Sequence, residues 1–283
     1  MGMPDILRYA TFTQQPDGGN PAGVVLNADE ISDHGMQQIA ADVGYSESAF
    51  VGTVTGRHRY ELRFFSPVGE VAFCGHATIA TAVVMAEADG PGRIVFETSA
   101  GEVEVETQRL DGGMLASLRS VPTHTREASG DETARALAAL GWAADDLDPD
   151  HPPHVAYAGN NHLMFGVRSR ERLADLAYDF DALRELMLER DWTTVQLFWV
   201  EEPAVVHARD PFPVGGVVED PATGAAAAAL GGYFRELGLV HEPVTITIRQ
   251  GEDMGRPSEL TVDVSPDDPQ VKVSGYAVPI VEY

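Results

Sequence analysis

One cysteine, Cys74, is all the thiol chemistry this chain of 283 residues contains. A lone thiol cannot close an intrachain disulfide, nor can it build a zinc site from several thiolates. Basic residues are scarce too, with 19 Lys and Arg against 44 Asp and Glu, a formal charge of −25. A surface of that sign repels phosphate backbones and anionic lipid, so neither nucleic acid nor membrane is expected as a partner. The acidity itself reads as solubility rather than function. Long apolar runs are missing: nowhere do about 18 apolar residues follow one another, and no basic segment with an apolar stretch opens the chain. A soluble, cytoplasmic protein is expected. What is present is an ordinary globular composition, 44% apolar and 22% charged, enough to bury a core in one large or two modest domains.

Periodicity orders the elements. "DILRYATFTQQPDGGNPAGVVL" reads as a strand, a turn-rich loop and a second strand. "SDHGMQQIAADVG" reads as a helix capped by Ser32, with Met36, Ile39, Ala40 and Val43 as its apolar stripe and Gly44 as its stop. "SESAFVGTV" and "YELRFFSP" read as strands, "CGHATIATAVVMAEADG" as an apolar helix, and "RIVFETSAGEVEVET" as a hairpin. A second cycle follows. It has the helices "DETARALAALG" and "DALRELMLER", the strands "VAYAGNNHLMFGV", "VQLFWVE" and "AVVHARDPF", the small-residue helix "PATGAAAAALGGYFRELG" and the hairpin "VTITIRQGEDMGRPSELTVDV". "VKVSGYAVPIVEY" closes the chain as a strand.

Two stretches align without a gap, "PVGEVAFCGHATIATAVVM" from Pro67 and "PVGGVVEDPATGAAAAALG" from Pro213, at an offset of 146 residues. Each follows strands and precedes a hairpin, which points to an internal duplication. Cys74 then falls opposite Asp220. Two strand-to-helix turns related this way would set two helix N-termini against one cleft, where N–H groups and dipoles suit a carboxylate. The small residues Gly75, Gly224 and Ala225 would let the anion approach the backbone.

Five motifs, "GNPAGVV", "SES", "FCGHAT", "EDPATG" and "RQGEDMGRPS", occur in this order nearly end to end. Together they resemble the phenazine-biosynthesis isomerase (PhzF-like) family, within the diaminopimelate-epimerase-like fold. That resemblance implies an α+β fold of two pseudo-symmetric domains, each a curved, mostly antiparallel sheet around a central helix, with the active site between them. The domains would be 1–119 and 120–270, with a C-terminal strand at 271–283 returning to the first. It also implies a homodimer, a biosynthetic role, and a small-molecule carboxylate as substrate, with no cofactor and no metal.

The resemblance makes Glu47, His76 and Asp220 the catalytic group and Gly75, Gly224, Ala225 and Asn20 the substrate-binding one. Related racemases work with two thiols, which one cysteine cannot supply. A carboxyl at Glu47, flanked by Tyr45 and Phe50 in an apolar cleft, would have its charged form desolvated and could both accept and release a proton. His76 would donate to or orient the substrate. Asp220 would hold a substrate amino or hydroxyl group or keep His76 protonated; its plain structural role is a helix N-cap. Cys74 is either a small buried residue or one of a Cys/Glu pair on opposite faces of a carbon. The expected activity is thus a cofactor-independent isomerase that moves a proton between carbons of a small unsaturated carboxylate or amino acid. The alternatives are a Cys74-dependent epimerase or racemase and a non-catalytic small-molecule-binding protein. Two departures from the phenazine enzyme stand out: Ala225 replaces a Ser, and Cys74 replaces a small apolar residue. His124, His151, His154 and His162 show no metal-like spacing and read as solvent-facing or structural.

Overall fold

The first strand, Ile6–Thr11 (β1), turns back into Asn20–Val25 (β2) through a loop that ends on Gly19. Gly19 has φ of +63°, and a Cβ there would stand 2.4 Å from the Thr11 carbonyl oxygen, so only glycine fits. The structure is a computed structural model and describes residues 5–281. Residues 1–4, 282 and 283, which fall in the expected first domain and last strand, lie outside the described residues.

Two units divide the chain. One holds it through Arg119 and again from Ser274, and the other is Ser120–Val273. In the first unit β1 pairs antiparallel with β2. Helix Asp33–Val43 (α1) follows; the Ser32 hydroxyl accepts from Gly35 N, and Gly44 ends it with φ of 71°. It leads into Glu47–Gly56 (β3), parallel to β2. Arg59–Ser66 (β4) pairs antiparallel with β3 and with the short Gly69–Val71 (β5). After the helix Gly75–Asp89 (α2), Arg93–Thr98 (β6) lies parallel to β4. Gly101–Leu110 (β7) and Gly113–Arg119 (β8) continue as an antiparallel meander. The C-terminal strand, Lys272–Pro279, pairs with both β8 and β1 and closes the sheet into a barrel. Closure removes the exposed strand edges of the ring.

The barrel encloses α2. Every residue of that helix from His76 to Ala86 is buried, and it packs on β1, β2, β3, β7 and β8. A helix apolar all round belongs in a core, which is what its small-residue sequence encodes. Its hydroxyls are satisfied internally: Thr78 Oγ1 donates to the Cys74 carbonyl and Thr81 Oγ1 to that of Ala77, both at 2.7 Å.

The second unit repeats the pairing scheme of β1 to β7. His124–Glu127 (β9) precedes helix Gly130–Leu140 (α3) and pairs antiparallel with His154–Tyr157 (β10). Next come Asn161–Gly166 (β11), antiparallel to β10, and helices Arg170–Ala174 (α4) and Phe180–Arg190 (α5). Trp192–Glu202 (β12) is parallel to β11, and Val205–Pro211 (β13) antiparallel to β12. β13 in turn pairs antiparallel with Glu219–Asp220 (β14) and, beyond helix Gly224–Glu236 (α6), parallel with Val244–Gln250 (β15). Ser258–Val264 (β16) completes the meander. The order antiparallel, parallel, antiparallel, then a branch, is that of β1 to β7, so the duplication seen in the sequence is also one of topology. The fold is α+β, two pseudo-symmetric units of mostly antiparallel sheet around a central helix.

Small residues let α6 sit close to its sheet. A Cβ on Gly231 would fall 2.9 Å from Val264 Cγ2. The helices α3 and α5 add a further core on this unit's sheet, where Leu140, Trp142, Phe165, Leu183, Met187 and Trp192 meet.

Candidate active site

β3 begins on Glu47, and side chains alternate along a strand, so Glu47 and Phe50 face opposite ways. Phe50 packs with Val25, Met36, Ala40 and Phe65 beneath α1, whereas Glu47 meets the head of α2. The apolar flank expected from Phe50 is therefore on the other side of the sheet. The contacts of the Glu47 carboxyl are with Cys74 and His76.

Cys74 is the N-cap of α2 and makes no side-chain capping bond, and His76 is the second helical residue. This turn brings three side chains together. Glu47 Oε2 lies 3.6 Å from Cys74 Sγ and 3.6 Å from His76 Nε2. Cys74 Sγ is 3.3 Å from His76 Nδ1 and 3.8 Å from Nε2. The His76 side chain is 6% exposed and that of Glu47 15%, so the carboxyl is the member that reaches toward solvent. Each residue offers one metal-ligating atom, and those atoms lie within 4.8 Å of one another.

β1 and β2 fix the imidazole. Thr11 and Asn20 are partners across that pair, and both reach the head of α2. Thr11 Oγ1 donates to the His76 carbonyl at 3.3 Å, and Asn20 Nδ2 lies 3.3 Å from Nδ1. With the amide as donor, Nδ1 accepts and the ring proton rests on Nε2, toward Glu47 and toward Ser46 Oγ at 3.4 Å. Burial pushes His76 below the usual imidazole value, opposed by the charge of Glu47. The imidazole is thus neutral at pH 7.

Gly75 is half-buried, and a Cβ there would meet only Phe73 Cε1, at 3.9 Å, so the backbone at this helix head is open to an approaching group.

In the second unit Asp220 is not the N-cap. It lies in β14, and Thr223 is the N-cap of α6. Thr223 Oγ1 donates to Asp220 Oδ2 at 2.6 Å, and Gln250 Nε2 donates to the Asp220 carbonyl at 2.8 Å. Asp210, opposite Asp220 in the β13–β14 pair, is fully buried. Gln196, its amide nitrogen turned toward the acid, donates to both Asp210 oxygens at 2.7 and 3.1 Å. Desolvation raises Asp210 well above the carboxylate range, and the charges of Asp220 and Glu219 add to this. Gly224 and Ala225 form the half-buried first turn of α6. Sequence reading missed Ser46, Asp210, Gln196 and Gln250. An acid in the strand "VVHARDP", otherwise buried from Val206 onward, was the signal for Asp210.

Comparison with known proteins assigns the chain to a family. The profile described as "Phenazine biosynthesis-like protein" (PhzC-PhzF) matches residues 9–283. The chain belongs to the phenazine biosynthesis-like family. It is 31% identical to an uncharacterized isomerase of Clostridium acetobutylicum over 97% of this chain and 95% of the relative. It is also 31% identical to the trans-2,3-dihydro-3-hydroxyanthranilate isomerase of Pseudomonas fluorescens, over 87% of this chain and 85% of that enzyme. A PhzF-family crystal structure from Bacillus anthracis superimposes with a TM-score of 0.90 at 24% identity, over 100% of this chain and 99% of that one, a likeness of fold. A phenazine biosynthesis-like isomerase is accordingly an enzyme, which sets aside the reading as a non-catalytic binding protein. No helix among the described residues is long and apolar enough to cross a membrane.

Proposed function

We propose that this isomerase moves a proton between two carbons of a small unsaturated carboxylate or amino acid, with Glu47 as the single acid–base group. The observation that carries the reading is the position of the Glu47 carboxyl, 3.6 Å from both Cys74 Sγ and His76 Nε2 and partly open to solvent at the head of a buried helix. A carboxylate takes the proton from one substrate carbon and, as the carboxylic acid, returns it to another on the same face. The protein's protonation state is restored, and no cofactor or covalent intermediate is needed. The neutral imidazole supports this by offering an N–H to the carboxylate without forming a full ion pair.

The backbone at Gly75 and the amide of Asn20 fit a substrate-holding role, since both flank His76. Asp220, Gly224 and Ala225 carry the role in binding an amino or hydroxyl group and a carboxylate that the family motif gives them. The relative's substrate, trans-2,3-dihydro-3-hydroxyanthranilate, belongs to this chemical class. Ala225 and Cys74 depart from that enzyme's motif, so a different member of the class is proposed here.

The epimerase reading, in which Cys74 and Glu47 act from opposite faces of one carbon, has Cys74's closeness to His76 in its favour. It needs its two proton carriers about 6–7 Å apart, one reacting contact of about 3–3.5 Å on each side of the carbon. Sγ and Oε2 are 3.6 Å apart, which supports the one-face reading instead.

The test is hydrogen exchange and isomerisation followed by NMR in deuterated water, with trans-2,3-dihydro-3-hydroxyanthranilate and a panel of small β,γ-unsaturated amino acids. Glu47→Gln is expected to abolish both for whichever compound turns over. Full turnover by Glu47→Gln would remove the assignment.

A further inference from the structure

We propose that Asp210 and Asp220 hold a single proton between them across the Thr223 hydroxyl, and that Asp210 is thereby a positioning residue that keeps Asp220 ionised and oriented at neutral pH. The second half rests on the role in substrate binding proposed above for Asp220; the first half does not.

Strand pairing carries the first step. Asp210 and Asp220 are direct partners in the antiparallel β13–β14 pair. Side chains opposite each other in this way rise on one face with their Cβ atoms about 4.5–5.5 Å apart, and like charges there repel. Neither acid has much access to water, since Asp210 is 0% exposed and Asp220 6%. Two carboxylates held so close and so dry do not both ionise near neutral pH, and the pair keeps one proton.

The hydroxyl between them shows which acid carries it. Thr223 has one hydrogen and two lone pairs on Oγ1. The hydrogen goes to Asp220 Oδ2 at 2.6 Å, and one lone pair accepts from Gln250 Nε2 at 3.1 Å. Thr223 also bonds the Asp210 carboxyl. With its hydrogen engaged, the hydroxyl meets Asp210 as an acceptor, so Asp210 is the donor. Burial agrees, because Asp210 is the deeper acid and desolvation favours its neutral form.

The surroundings fit a neutral acid. Gln196 and Thr194 donate to the same carboxyl, and Thr194 Oγ1 lies 2.8 Å from Nδ1 of the buried His162, whose ring is neutral. The charges of Asp220 and Glu219 on β14 add to the effect of burial. Arg209, beside Asp210 on β13, is paired with Glu219. Asp220 is then the negative member of the pair. Thr223 pins one of its oxygens, and Gln250 Nε2 pins its backbone carbonyl at 2.8 Å. An ionised Asp210 would compete for the Thr223 hydrogen and set a like charge beside Asp220; the neutral acid does neither.

The experiment is infrared difference spectroscopy of the full-length protein at pH 7, in ordinary and deuterated water, paired with steady-state kinetics on whichever compound turns over. The parent is expected to show the carbonyl band of a neutral carboxylic acid, shifted in deuterated water, absent from Asp210→Asn and retained in Asp220→Asn. Asp210→Asn keeps a donor for Thr223, so its KM should stay within about twofold of the parent's. Asp210→Leu has no donor and should raise KM about tenfold at unchanged kcat, the weight of one buried hydrogen bond. If Asp210→Leu fails to fold, Thr223→Val, which removes the bridge and leaves both acids, should give the same rise. A parent without the band, or a band that survives Asp210→Asn or is lost in Asp220→Asn, overturns the proposal. So does a parent-like KM in Asp210→Leu or Thr223→Val when Asp220→Asn raises it. A parent that shows the band but exchanges hydrogen on no compound would sink the proposed function, and the second half with it, and leave the shared proton standing. Exchange by a parent without the band would do the reverse.

Discussion

The head of α2 gathers Glu47, Cys74 and His76, whereas the head of α6 gathers Asp220, Thr223 and Gln250 beside the buried Asp210. Both heads grow from the same repeated segment, and each follows a short strand, β5 paired to β4 in the first unit and β14 paired to β13 in the second. At the aligned position, Cys74 is an N-cap, whereas Asp220 lies in the strand before one. Duplication preserved the scaffold while the side chains divided the work. In the function proposed above, the first head holds the groups that give up and take back protons; the second holds a hydrogen-bonded network around Asp220. If that division is right, variants at the two heads should fail in different ways.

The largest difference is expected between Glu47→Gln and Asp220→Asn. Removing the proton carrier should lower kcat by about 10²–10⁴, the usual weight of a positioned acid–base group. Asp220→Asn, which keeps the shape but not the charge, should act mainly through KM. Steady-state kinetics on the substrate found by exchange measures both. Equal losses of kcat would erase the distinction between a chemical head and a holding head.

Next in size is the stability of the second head. Arg209 donates to Glu219 through two nitrogens, at 2.9 and 2.5 Å, with side chains only 11% and 4% exposed. Arg209→Ala would strand a buried carboxylate beside Asp210 and Asp220. A loss of about 3–5 kcal/mol in urea unfolding is expected. A loss below 1 kcal/mol would mean the network is not what holds β13 and β14.

Titration separates the regions in a third way. Burial lowers His76 in the first unit, and it lowers His162 in the second to about 3. The unfolded chain binds these protons near pH 6.5 and the folded one does not. Stability is therefore complete above that pH and falls as the pH drops below it, by about 1.4 kcal/mol per pH unit for each buried imidazole. His162→Gln should flatten the slope below pH 6 in urea titrations. Asp210 has the opposite sign. Its folded value is raised by desolvation and by Asp220 and Glu219, so the folded state keeps a proton that the unfolded chain releases. Its contribution is full below the ordinary carboxylate value and is lost as pH rises through the folded one. Asp210→Asn should remove that alkaline limb and leave the acid one. Unaltered pH profiles in both variants would contradict the assignment of either group.

The elements were legible where pattern and chemistry agreed. Ser32 and Gly44 bound α1, the alternation of "RIVFETSAGEVEVET" marks a hairpin, and the two small-residue runs become the two buried helices. The short strands β5 and β14 escaped notice because two or three residues carry no period. Glu47, Cys74 and His76 could be chosen from motifs, but their contacts could not, since these depend on which face of β3 meets α2. Phe50 shows the error: adjacent in sequence to the site, it packs on the opposite face of the strand. Asp210 was hidden for a different reason, because an acid inside a strand reveals its partners only once β12, β14 and β15 surround it.

The smallest expected effect is also the one that discriminates best between the remaining enzyme readings. Cys74 Sγ lies 3.3 Å from His76 Nδ1 and 3.6 Å from Glu47 Oε2, so its removal perturbs both neighbours without taking away the proton carrier. Under one-face transfer Cys74→Ala should slow substrate exchange by less than about tenfold, the residue of a lost packing and hydrogen-bond contact. Under two-face epimerisation the same change removes one of the two acids and should cost about 10²–10⁴. The stereochemistry of the exchanged hydrogen gives an independent check. Transfer by Glu47 alone returns the proton to the face it came from, whereas a second carrier would deliver solvent deuterium to the opposite face. A large rate loss together with inverted delivery would move Cys74 from neighbour to participant, and both heads would then carry more chemistry than the division above allows.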